Sequence, residues 1–107
     1  MSESKTPFFV GKSFVYDYGS LVAHDHFVTD TLLRFEVVGG PFAGVKGEAP
    51  FEAHEVSPDV WMITWQESNG ATVVHIDDFV RGISHSNFTD AQLGFHRMLG
   101  SIREIRE

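Results

Sequence analysis

Residues 61–78 read WMITWQESNGATVVHIDD, and this stretch indicates the fold more clearly than any other part of the chain. Every second position at its start lies on one face: Trp61, Ile63, Trp65 and Glu67. A period of two is typical of a β-strand, because successive side chains point to opposite sides of the pleat. Ser-Asn-Gly at 68–70 suits a tight turn, and residues 71–78 alternate again. The pattern predicts a β-hairpin.

Glu67 continues a face that otherwise consists of two tryptophans and an isoleucine. If that face points into an apolar interior, the charged carboxylate is disfavoured there. We therefore expect Glu67 to lie near Tyr16 or Tyr18 with a raised pKa. The alternative is a solvated glutamate beside the turn, since glutamate is usually exposed.

Length and composition limit the remaining possibilities. The chain has 107 residues, 42% of them hydrophobic, with ten phenylalanines, which is enough for one small domain. Its net charge of -7 argues against a nucleic-acid or anionic-membrane partner. It has no cysteine, so disulfides and thiolate chemistry are excluded. We expect a loose tail over residues 1–7, a domain over residues 8–107 and a cytoplasmic location.

Short alternating runs separated by turn residues continue along most of the chain. Seven or eight such strands predict an all-β domain, either a closed antiparallel barrel or a sandwich. The C-terminal part is ambiguous. Thr89 and Gln92 have the spacing of a capping box, which allows one short helix over residues 90–96, whereas residues 101–105 alternate like a strand.

Four segments in order resemble the motifs of phenolic acid decarboxylases and of MoaF-like proteins, which share the calycin, or lipocalin-like, barrel. These segments are residues 8–12, 16–18, 40–44 and 65–73. The resemblance implies a single antiparallel barrel around an aromatic-lined pocket. The MoaF-like proteins are the closer match.

The resemblance to the decarboxylases also implies catalytic residues. Their two tyrosines and their glutamate match Tyr16, Tyr18 and Glu67, but their arginine is replaced by Val45. Lys46 is adjacent, yet a shift of one residue along a strand moves a side chain to the opposite face. Because the arginine holds the substrate carboxylate in that family, we predict that this chain does not decarboxylate phenolic acids.

If the two tyrosines point inward, strand alternation predicts the remaining pocket lining. The ligand-binding candidates are His24, Phe35, Val45, Trp65, Val73 and His75. Such a mixture of rings, imidazoles and one carboxylate suits an aromatic or hydrophobic small molecule. It also suits proton transfer, because burial can tune Glu and His towards neutral pKa values.

Several patterns favour a structural interpretation over a functional one. His24, His26 and His75 lack a carboxylate at a matching spacing, so no metal site is predicted. Asp77 and Asp78 are expected at a solvated strand end. The alternative for Tyr16 and Tyr18 is that they fill the barrel without a chemical role. No phosphate-binding loop occurs, and no cofactor is predicted.

Three functions therefore stay open. The first is binding of a small aromatic or hydrophobic molecule in the barrel. The second is an acid/base enzyme, a lyase or isomerase, which uses Glu67 with Tyr16 and Tyr18. The third is a homodimeric module whose exposed apolar strand faces form the interface.

Overall fold

The computed structural model describes residues 6–106, and the strand content of this range agrees with the prediction. Eight strands occur in it: β1 (Ser13–Asp17), β2 (Val22–Phe27), β3 (Leu32–Gly39), β4 (Lys46–Ser57), β5 (Val60–Gln66), β6 (Thr72–Asp78), β7 (Ile83–Thr89) and β8 (Phe95–Ile105). Within residues 6–106 there is no α-helix, and accordingly no helix that is long and apolar enough to cross a membrane. Most of the predicted tail, residues 1–5, lies outside the described range.

The strands form one closed antiparallel barrel in chain order. Each strand pairs with the next, and β1 pairs with β8 to close the sheet, with Tyr16 opposite Ile102. Closure removes the unpaired strand edges that an open sheet presents. An eight-stranded barrel encloses room for core side chains and one small ligand. The predicted calycin-like barrel is confirmed.

The predicted hairpin is formed by β5 and β6, with Gln66 opposite Thr72. In the turn, Gly70 has a φ of 94°, and the side-chain oxygen of Asn69 accepts a 2.9 Å hydrogen bond from the N–H of Ala71. Ile63 is fully buried and Trp65 nearly so, which confirms that their face points inward.

One end of the barrel is filled by an aromatic cluster. Phe9, which precedes β1, is fully buried, and its ring lies 4.6 Å from that of Phe27 and 5.3 Å from that of Trp61. Gly11 ties this segment to β2 by donating its N–H to the carbonyl of Phe27 at 2.7 Å. Because the strands are antiparallel, this end holds the start of β1 and the end of β2. The opposite end holds the end of β1 and the start of β2.

The short helix that the sequence allowed over residues 90–96 does not form, because a turn precedes β8. The Asp90 carboxylate accepts hydrogen bonds from the N–H groups of Gln92 at 3.0 Å and Gly94 at 2.8 Å. The intervening Leu93 has a φ of 68°, which a helix does not allow. The polar pattern attributed to a helix cap therefore closes a turn, and β8 is longer than the strand expected over residues 101–105.

Candidate functional site

A cavity of about 260 Å³ lies at the end of the barrel opposite the aromatic cluster. Its walls are mainly apolar, with Phe35 and Trp65 stacked at a ring separation of 6.4 Å. Eight of the nine predicted site residues line it: Tyr16, Tyr18, Phe35, Val45, Trp65, Glu67, Val73 and His75. Sequence alternation therefore assigned these side chains correctly to the inner face of the barrel, on five strands or directly beside their ends.

His24 is the exception, because it lies exposed on the outer surface of β2. Tyr16 of β1 pairs with Ala23 of β2, and residues opposite one another share a face. The turn between the strands thus changes the inward positions from even to odd residue numbers. The inner face of β2 carries Ala23 and Asp25 at the cavity and Phe27 in the core. His24 was predicted to point inward because the even-numbered inward positions of β1 were taken to continue into β2.

Asp25 consequently takes the place expected for a histidine. Its side chain is 2% exposed and lines the cavity, and within residues 6–106 neither carboxyl oxygen has a hydrogen-bond partner. Burial raises the pKa of Asp25 to about 7; nearby His75 opposes that rise, whereas Asp77 and Glu67 add to it. A pocket carboxyl that titrates near neutral pH is suited to accept or release a proton.

Asp77 lies behind the cavity and is fully buried, so the prediction of a solvated strand end is wrong for this residue. Its carboxylate accepts hydrogen bonds from the hydroxyl of Tyr16 at 2.8 Å and from that of Ser84 at 2.7 Å. These two bonds compensate part of the cost of burying the charge. Asp78, on the opposite face, is held by Arg81 at 3.0 Å, and hydrogen bonds from Arg81 lower its pKa.

Tyr18 joins the same network through Ser84. Its hydroxyl lies 2.8 Å from Ser84 Oγ, and since Ser84 donates its one proton to Asp77, Tyr18 is the donor in this contact. Gly100 permits this packing, because a Cβ there would overlap the carbonyl of Asp17 and the ring of Tyr18. Burial raises the pKa values of both tyrosines, and the Asp77 charge adds to the effect. Both phenols therefore stay protonated and act as donors.

His75 lies between the pocket and this network. Its ring is 5.0 Å from that of Tyr16 and 5.1 Å from that of Trp65. Its Nδ1 lies 3.5 Å from Asp77 Oδ2, and its Nε2 lies 3.4 Å from the Tyr18 hydroxyl. Burial disfavours the imidazolium ion, but the Asp77 and Asp25 carboxylates outweigh this effect and raise the pKa of His75.

Glu67 lies half-buried at the rim of the pocket. Burial raises its pKa, as predicted, and a long 3.4 Å hydrogen bond from Trp65 Nε1 opposes part of the rise. Its hydrogen-bond partner is this indole and not a tyrosine, since Tyr16 and Tyr18 are bound to Asp77 and Ser84. The polar centre of the site is therefore deeper than Glu67.

The residues of 6–106 that line the cavity include no lysine or arginine. Val45 lies at its exposed rim, and Arg34 is bound to Glu48 on the outer face of the sheet. Over residues 6–106, no three Asp, Glu, His or Cys side chains are grouped so that they could hold a metal ion. Carboxyl groups, hydroxyls and His75 thus provide the chemistry of the site.

The pattern in the sequence contained signals for some of the residues that were missed. Asp77 follows Val73 and His75 at period two, and Ser84 and Ser86 alternate in the same way on β7. All three are buried. Asp25 could have been assigned inward from Phe27, since a phenylalanine two positions away indicates the core-facing side of the strand.

Comparison with known proteins places this geometry in a family. The family model described as MoaF-like matches residues 10–103. A crystal structure from Burkholderia vietnamiensis, of a protein provisionally named a beta-lactamase, is 42% identical with a TM-score of 0.92, covering 95% of this chain and 100% of that one. No curated protein matches. The barrel and the match across nearly all of its length show that this chain belongs to the MoaF-like family.

Proposed function

We propose that this protein binds a small aromatic or hydrophobic molecule in the barrel cavity. The observation that carries the proposal is a closed barrel with one end filled by phenylalanines and the other hollow, about 260 Å³ in volume. Ligand pockets are typically concave and mostly apolar, with a few polar groups that orient the ligand. Asp25, His75 and Glu67 are such groups here.

The cavity's size and walls indicate the kind of ligand. A cavity of about 150 Å³ holds benzene, so this one suits a molecule of one or two rings. The stacked pair of Phe35 and Trp65 provides an aromatic surface for a flat ring. Because the described part of the lining has no permanent cation, an anionic ligand such as a phenolic acid is disfavoured. This supports the prediction that phenolic acids are not decarboxylated.

The binding test uses 4-propylphenol, which is neutral and has one ring. Isothermal titration should detect binding to the wild-type protein. Ala23→Phe should abolish it, because the added ring fills the cavity that Ala23 lines. Ala43→Phe, at an exposed position outside the lining, is the matched control and should bind normally. Unchanged binding in Ala23→Phe would place the ligand elsewhere and overturn the proposal.

A second candidate is an acid/base enzyme, a lyase or isomerase, in the same pocket. The observation that favours it is Asp25, a cavity carboxyl with a pKa of about 7, close to the optimum for general acid or base catalysis at neutral pH. Glu67 at the rim would be the second proton carrier, while Tyr16 and Tyr18, whose hydroxyls donate to Asp77 and Ser84, would hold the polar network behind the ligand in place. Conversion of a bound ligand that ceases in Asp25→Asn, with binding retained, would distinguish this function from simple binding.

The name of the Burkholderia vietnamiensis relative raises β-lactam hydrolysis as a further possibility. Ser86 is the serine that lines the cavity, and within residues 6–106 it makes no hydrogen bond to His75, which faces Tyr18 instead. A serine nucleophile requires an adjacent base. We therefore expect no hydrolysis of a chromogenic cephalosporin. Rapid hydrolysis that is lost in Ser86→Ala would reverse this assignment.

A further inference from the structure

The carboxyl group of Asp25 lacks a partner in the protein. It is 2% exposed, it lines the cavity, and among residues 6–106 no side chain or backbone group donates a hydrogen bond to it. Buried polar groups in proteins are nearly always hydrogen-bonded, and a buried charge without a partner is costly. Since residues 6–106 supply no donor, the available partner for Asp25 is a group in the cavity that it lines.

The other carboxyl groups around the pocket already have donors. Asp77 accepts from Tyr16 and Ser84, and Asp90 accepts from the N–H groups of its own turn. Asp90 also contacts His96 at 3.0 Å. Asp25 therefore remains as the free acceptor on the inner wall of the cavity.

The charge balance near Asp25 favours a cation. His75 is the only basic side chain in the described lining, and it faces two carboxylates, Asp25 and Asp77. Even with His75 protonated, this part of the pocket has one negative charge in excess when both aspartates are ionised. Glu67 at the rim adds to that excess.

The walls of the cavity also suit a cation. Trp65 lies over Phe35 in a stacked arrangement, and the rings of Tyr16 and Tyr18 are stacked at 6.4 Å. The faces of aromatic rings attract cations, most strongly where water is excluded. The protein's net charge of -7 would also attract a cationic ligand from a distance.

We propose that the ligand is an aromatic or other cyclic molecule with a protonated nitrogen, and that Asp25 binds that nitrogen. This assignment rests on the proposed function of the cavity as a small-molecule site and names the class of ligand. The ring lies between the aromatic walls, and the nitrogen donates a charge-assisted hydrogen bond to the Asp25 carboxylate.

The proposal has a consequence for the pH dependence of binding. The nitrogen is held by ionised Asp25, whose pKa is about 7 in the free protein. Phe35, which pairs with Asp25 on β3, does not titrate. The titratable groups that interact electrostatically with Asp25 are His75, Asp77, Glu67, Tyr16 and Tyr18. Raising the pH ionises Asp25 and removes the proton of His75, and both changes strengthen cation binding. Tyr16 and Tyr18 stay neutral because their pKa values are raised.

The test compares three probes that share a phenol ring: tyramine as the cation, 4-propylphenol as the neutral analogue and 3-(4-hydroxyphenyl)propanoate as the anion. Isothermal titration at about pH 8 should show tyramine binding at least about tenfold more tightly than 4-propylphenol, and the propanoate more weakly than either. Asp25→Asn should remove the preference for tyramine. Asp30→Asn, an exposed aspartate in the turn after β2, should retain it.

Each outcome is decisive. Equal affinity of wild type for tyramine and 4-propylphenol would overturn the cation assignment while leaving the small-molecule site intact. Failure of all three probes to bind would count against the site itself as well. If Asp25→Asn does not fold, the wild-type protein still provides the test, since tyramine affinity should rise from about pH 6 to about pH 8 and 4-propylphenol affinity should not. A pH-independent tyramine affinity would overturn the proposal.

Discussion

Replacing Asp25 by asparagine should stabilise the protein at neutral and alkaline pH. The pKa of Asp25 is about 7 in the folded chain, against an ordinary value of 3.8 when the chain is unfolded. The folded state therefore holds this proton more tightly than the unfolded state does. The contribution of the carboxyl to stability is fully present below about pH 4 and is lost as the pH rises to about 7. Asparagine has nearly the same shape and carries no charge, so it avoids the loss.

The structure gives the size of the effect. The interval between the two pKa values is about three pH units, and each unit corresponds to about 1.4 kcal/mol, so the maximum is about 4 kcal/mol at pH 8. Between about pH 5 and pH 6.5 the wild type should lose about 2 kcal/mol. The pKa of His75 is also raised, so His75 contributes to stability as well, but this contribution is lost only when the pH rises above 6.5, the ordinary pKa of histidine. The lower interval therefore reports mainly on Asp25.

The assay is urea unfolding followed by tryptophan fluorescence at a series of pH values. Wild type and Asp30→Asn should lose stability in parallel as the pH rises from about 5 to 6.5. Asp25→Asn should be nearly flat in that interval and more stable than wild type at its upper end. Parallel curves for all three proteins would refute the burial of an unpartnered carboxyl at position 25.

Three further predictions follow from individual contacts. Tyr16→Phe should lower the free energy of unfolding by about 1.5–3 kcal/mol, measured by urea unfolding, because it removes a 2.8 Å hydrogen bond to buried Asp77. An unchanged stability would contradict a stabilising role for this hydrogen bond. Glu67→Gln should weaken tyramine binding by less than Asp25→Asn does, because Glu67 is only half-buried; the larger loss in Glu67→Gln would make the rim the main cation site. If the chain is a homodimer, Leu99→Lys should shift it towards monomer in light scattering, since Leu99, Phe95 and Leu93 form an exposed apolar group on and before β8. The control Val56→Lys, on β4, should leave the mass unchanged. Equal masses for all variants would exclude this interface.

Much of the fold was predictable because period-two alternation is a local property. The face that carries Ile63 and Trp65 is inward as predicted, and the same alternation places Glu67 at the pocket rim. These inferences needed only the parity of residues within one strand. The existence of an aromatic-lined pocket did not follow from parity; it was implied by the resemblance to the MoaF-like proteins and the phenolic acid decarboxylases.

The missed features depend on how strands are joined. The inward face of β2 follows from the number of residues in the turn after Tyr18, which alternation within a strand does not give; this is why His24 was placed inside and Asp25 outside. Asp77 was assigned to a solvated end because aspartate is rarely buried without a partner, and its partners Tyr16 and Ser84 come from two other strands. The turn before β8 was not distinguished from a short helix, because a helix cap has the same polar residues at similar spacing. In the structure the Asp90 carboxylate closes this turn.

The most direct test of the central claim is an amide and indole NMR titration of the wild-type protein with 4-propylphenol. If the hollow end of the barrel is a small-molecule site, the largest shifts should occur at the Trp65 indole N–H and at the backbone of Ala23, Asp25 and Val73. Residues of the filled end, such as Phe9 and Phe27, should move little. Shifts that concentrate on the outer face of β8, or that are absent at Trp65 under saturating probe, would contradict the claim.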